Sequence, residues 1–76
     1  MIKREELSNP DSCMSRAEDD EPTFVLLARD VAAPEIIREW CIRRVSILGK
    51  NKPDDPQIRE ALDLASSMEA WRKQNR

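Results

Sequence analysis

The only glycine of the chain, Gly49, and the Asp55-Pro56 pair beyond it stand between two stretches of helical apolar periodicity. Glycine suits the left-handed position that closes a helix. Aspartate followed by proline suits the cap and first residue of the next helix. The linker "GKNKPD" is short and polar, and such a connection makes the second helix an antiparallel neighbour of the first. The punctuation therefore predicts a mainly α protein built on an antiparallel αα-hairpin.

The first helix is expected to start between residues 31 and 34 and to run to about Leu48. Asp30 has the position of its N-cap, and Pro34 is tolerated only within the first turn. Ile37, Cys41, Val45 and Leu48 fall on one stripe, with Ile36, Trp40 and Ile47 on an adjoining one. That arc is wider than one partner helix can cover. Glu35/Arg38 and Glu39/Arg43 are helix-spaced ion pairs worth a few tenths of a kcal/mol each. The second helix is expected from Pro56 to about Lys73. Its main stripe is Ile58, Ala61, Leu62, Ala65 and Met68, with Leu64 and Trp71 beside it. Arg59/Asp63 and Glu69/Lys73 are i,i+4 pairs. Arg72, Lys73 and Arg76 complement the negative end of the helix dipole.

Upstream lies the continuous apolar run "FVLLA", residues 24–28. Periodicity alone does not separate a buried strand from a turn of buried helix, but Phe24, Val25 and the preceding Pro22 favour a strand. A lone strand leaves its backbone groups without partners, and no second strand-like segment is present. The run then either pairs with its own copy across a two-fold axis or lies as an extended arm in an apolar groove. Chain size points the same way. A folding unit of residues 23–76 is too small to wrap a large core, and scaffolds of this size need disulfides, a metal or oligomerisation. Two cysteines, Cys13 and Cys41, and no histidine leave oligomerisation as the route. The expected assembly is a homo-oligomeric helical bundle, a dimer or higher. Phe24, Val25, Leu26, Leu27, Ile36, Ile37 and Trp40 form its interface.

Charge divides the chain. Residues 1–22 hold three basic and seven acidic groups, a net of −4, and residues 23–76 hold ten basic and eight acidic, a net of +2. The first 22 residues, with Asn9-Pro10-Asp11-Ser12 and the acidic run "EDDE" at 18–21, read as a disordered tail or a short frayed helix around 2–7. Such a tail either solubilises the chain or docks a basic partner. No apolar run reaches the roughly 18 residues of a membrane span, and no signal peptide is visible, so a cytoplasmic protein with reduced cysteines is expected. No catalytic constellation, cofactor motif or metal-ligand set is present. Cys41 lies on the apolar stripe without a histidine partner and reads as core. Asp30, Asp54 and Asp55 read as capping groups. A non-enzymatic protein is the expectation.

Binding chemistry is better represented. Arg29, Arg38, Trp40 and Arg44 form the candidate ligand site: guanidinium forks take phosphate and indole stacks on a base. The plainer reading makes Trp40 core and the arginines a solvated face with Glu35 and Glu39. Duplex DNA is not an expected partner, because Asp54, Asp55 and Glu60 would meet the phosphates. The stretch "EPTFVLLARDVAAPEIIREW" at 21–40, with "MEAW" at 68–71, resembles a group of short uncharacterised proteins from phages, prophages and their bacterial hosts. Many of those carry a proline where Val31 stands. The resemblance implies no catalytic residues, only a phage-type setting in the host cytosol, where small proteins block defence or redirect host machinery. Two functions follow as expectations. One is counter-defence by sequestering a small anionic, nucleotide-like signal in a homo-oligomer. The other is a protein-interaction inhibitor or adaptor that meets a host protein through its helical face and acidic tail.

Overall fold

The computed structural model describes residues 2–8 and 13–75, apart from the side chains of Leu7, Cys13 and Met14. Its described residues are mainly helical. Helix α1 (Lys3–Ser8) and helix α2 (Cys13–Arg16) touch each other, and α3 (Ala33–Ile42) packs on α4 (Pro56–Asn75). Helix α1 lies where the sequence suggests a short helix, while "NPDS" at 9–12 lies outside the described residues. The acidic run closes on itself: the Glu21 N–H donates to the Glu18 carbonyl at 3.1 Å, and the Glu18 N–H donates to the Glu21 carboxylate at 3.0 Å. Residues 21–27 carry no regular structure, so the strand considered for 24–28 is absent from the single chain. The physical reason is that no second strand-like segment offers its backbone a ladder.

Helix α3 starts within the expected window, but its cap position is Ala32 and no side chain caps it. Asp30 acts two residues earlier. Its carboxylate accepts the Ala32 N–H at 2.9 Å, its carbonyl accepts the Ala33 N–H at 3.1 Å, and its own N–H donates to the Leu27 carbonyl at 3.0 Å. Asp30 thus builds an Asx turn that leads into the helix. Beyond Ile42 the helix widens into a π-helical segment, Arg43–Ile47. The Leu48 N–H reaches back five residues to the Arg43 carbonyl at 2.7 Å, and the Lys50 and Asn51 N–H groups both donate to the Arg44 carbonyl, at 2.9 and 3.2 Å. Each wider turn takes one more residue than an α turn. Side chains past Ile42 therefore lag behind the α register. The expected stripe breaks here: Cys41 is buried, Ile37 and Val45 are half-buried, and Leu48 faces solvent.

Gly49 follows the last helical turn at φ 64°, the left-handed conformation expected of it. Asp55 stands immediately before Pro56, as expected, but its carboxylate faces the linker. It accepts the Lys52 N–H at 2.9 Å and the Asn51 amide at 3.1 Å. The side chain thus holds the linker closed, while its backbone carbonyl takes the first N–H groups of α4, those of Ile58 and Arg59.

The core is Ala33, Cys41, Ile58, Ala65 and Met68. Two of these are alanines, which lets the helices approach closely, and among the described residues Ile58 alone is both large and almost wholly enclosed, at 2% exposure. Ile58, Ala65 and Met68 confirm the main stripe of α4, whereas Leu62 on that stripe is exposed and lies to one side of the contact.

A β-carbon built at Gly49 meets nothing within 4 Å, so only its backbone conformation resists substitution. Gly49→Ala is expected to lower stability by about 1–2 kcal/mol in urea titration, and Gly49→Asn by less, because asparagine tolerates the left-handed region. Equal stability of all three forms would show that the turn relaxes freely.

Candidate functional site

Antiparallel packing and helical spacing give the hairpin two flanks. Arg38 on α3 reaches Glu69 on α4 in a two-pronged ion pair at 2.7 and 3.0 Å. This contact ties the middle of α3 to the later part of α4. It also orients the rest by periodicity. Arg38 and Ile42 share a flank with Glu69 and Leu62. Ile36 and Trp40, four apart, fall on the other flank, as do Leu64 and Trp71 on α4. The first flank holds an open groove of about 330 Å³ touching Arg38, Cys41, Ile42, Val45, Pro53 and Leu62. The second flank carries both tryptophans of the chain, each substantially exposed, with Ile36 also exposed and Leu64 half-buried.

The four residues singled out for ligand binding separate accordingly. Arg38 is engaged by Glu69. That hydrogen bond, ahead of charge attraction, raises the arginine pKa and holds the Glu69 carboxyl below its usual range. Trp40 and Arg44 do come together: the Arg44 guanidinium carbon lies 5.6 Å from the Trp40 ring centroid, a cation–π distance. Arg44 is tethered further, its Nε donating to Asn51 Oδ1 at 2.6 Å. Asn51 donates in turn to Asp55 and to Gln57, each at 3.1 Å. Bonds from the Lys52 backbone first, and from Asn51 second, hold the Asp55 carboxyl below its usual range. Arg29 is exposed in the turn before α3. The structure therefore gathers one pair of the four, places Arg38 on the groove flank and leaves Arg29 apart in chain position.

The expected interface residues are largely on the surface. Phe24, Val25, Leu27, Ile36 and Trp40 are exposed, while Leu26 and Ile37 are half-buried. Cys41 is buried with its Sγ 4.0 Å from the Ile58 carbonyl, and burial pushes the thiol pKa up, which suits packing rather than nucleophilic chemistry. Glu39 pairs with Arg43 at 3.4 Å as its spacing suggests. Glu69 pairs with Arg38 across the hairpin instead of with Lys73. No spacing rule reaches that partner, 31 residues away, nor does one mark Asn51 as the hub of the linker.

Among the described residues, no helix is long and apolar enough to cross a membrane. No protein-family model matches the chain, and no curated protein or solved structure matches it.

The two depressed carboxyls set an acid response. A group whose folded pKa lies below its unfolded value stabilises the fold above the unfolded pKa. That stability is lost as pH falls through the folded one. Melting temperature should therefore be level near neutrality and drop below about pH 4, where free Glu and Asp carboxyls protonate. Glu69→Gln should flatten part of that drop. Parallel acid profiles for the wild type and the variant would show that the ion pair adds nothing.

Proposed function

We propose that the chain is a non-enzymatic interaction module: a self-associating helical hairpin that acts by covering a surface on a host protein. The observation that carries this reading is the imbalance between a five-residue core and the apolar surface left outside it. Phe24 is 85% exposed and Trp71 48%, and Val25, Leu27, Val31, Ile36, Ile42, Ile47 and Leu48 are exposed as well. Exposed apolar surface in excess of the core marks interaction sites. Tryptophans on one flank supply the side-chain type that most often anchors protein interfaces. The two segments that resemble short phage proteins end on Trp40 and Trp71, which periodicity assigns to the same flank. The resemblance supports a phage-type setting in the host cytosol, with interference in host defence as the natural role. The acidic run at 18–21 is exposed and directly precedes the apolar arm in the chain.

Two measurements test this. Light scattering at low micromolar concentration is expected to report a dimer or larger species, and a well-folded monomer would overturn the self-association. Photo-crosslinking in host cells from position 71 is expected to trap one defined protein, and deletion of residues 1–20 to weaken the capture while leaving the oligomer unchanged. Cross-links to other copies of the chain alone would overturn the host-protein reading.

A second reading has its own observation. The Trp40 indole, 38% exposed, and the half-buried Arg44 guanidinium are stacked at the surface. They offer a platform for a planar anion such as a nucleotide-derived signal. Calorimetry against cyclic and ADP-ribose-type nucleotides should then give heat at micromolar protein that Trp40→Ala abolishes. Absence of heat across the panel would remove this reading.

A further inference from the structure

We propose that the groove between the π-helical turn and the start of α4 receives the apolar arm of a second copy of this chain, so that two copies exchange residues 24–27 reciprocally. The proposal rests on the self-association put forward above and gives it a site.

The groove is chemically suited to a peptide's side chains. Buried Cys41 and Ile58 lie beneath it, with Ile42, Val45, Pro53 and Leu62 around them. Its volume of about 330 Å³ is room for a few apolar side chains. Small-molecule sites rely on placed polar groups for orientation; here only Ser46 and the already paired Arg38 supply any. Phe24, Val25 and Leu27 are the matching occupant: three exposed apolar side chains within four residues. Enclosing the Phe24 ring alone removes roughly 150–250 Å² from water. Exchange doubles every such contact. Two arms and two grooves therefore supply a large part of the roughly 1,200 Å² at which stable interfaces begin.

Chain geometry favours a second copy over the arm's own groove. The turn hydrogen bonds around Asp30 hold Leu27 at the start of α3. The groove's lining on this helix runs from Arg38 to Ser46, roughly 8–20 Å along the axis at 1.5 Å per residue, and all but its near edge lies beyond the roughly 10 Å that the three residues from Leu27 to Phe24 span when extended. In an antiparallel two-fold pair, the start of one α3 lies beside the end of the other. That brings each arm to its partner's groove.

The test is a disulfide scan in a Cys13→Ser, Cys41→Ala background, checked for helicity. Phe24→Cys combined with Leu62→Cys should give a chain-to-chain disulfide on mild oxidation at low micromolar protein. Phe24→Cys combined with Ser67→Cys, on the outer face of α4, should not. A dimer by light scattering that lacks the Leu62-specific link would overturn arm exchange and leave self-association standing. A monomer would overturn both. A link within one chain would overturn the second copy as occupant. Should the background unfold, the wild-type protein serves: a peptide of residues 18–29 added in excess should shift the dimer toward monomer, and an unchanged mass would overturn the proposal.

Discussion

The hairpin depends on one close contact, Ile58 of α4 seated against Cys41 of α3, with alanines at Ala33 and Ala65 along the same seam. Small side chains let the helix backbones approach, and the approach brings Arg38 within reach of Glu69. The same closeness limits how much apolar surface the pair can hide. A seam of small residues makes a narrow core, and everything on either side of it stays at the surface. The exposed flanks are thus a consequence of how the helices are joined.

The π-helical turn works with that seam. By taking up an extra residue per turn it rotates Leu48 out of the stripe that Cys41 and Val45 continue. It also presents the Arg44 carbonyl to two linker N–H groups. The linker is then fastened from the other side by Arg44, Asn51 and Asp55. These bonds join the end of the first helix to the start of the second, so the linker behaves as part of the fold. Arg44 has a double role as a result: it anchors the linker through Nε while its guanidinium lies over Trp40.

Much of the architecture was legible in the sequence because its signals are local. Gly49 and Pro56 mark helix ends through backbone sterics alone, and the spacing of Ile58, Ala65 and Met68 follows from the helix repeat. Asp30 and Asp55 read from the sequence as helix caps, and the structure turns both carboxylates to the adjoining turns instead. An aspartate near a helix start can accept from the helix or from the loop, and the path of the loop decides. The binding cluster was legible only in part for the same reason. Trp40 and Arg44 are neighbours on one helix, so spacing predicts their meeting. Arg38 was drawn away by a residue far along the chain.

By itself the sequence determined two helices, their short polar connection and an excess of apolar residues before and along the first of them. These are consequences of local sterics and periodicity, which act within a few residues. The tertiary structure alone decided which apolar residues became core and which became flank, which carboxylate took Arg38, and that a groove lies beside the Cys41–Ile58 seam. Those outcomes turn on how closely the helices approach and on where the π turn shifts the register, and neither is encoded in any single stretch of residues.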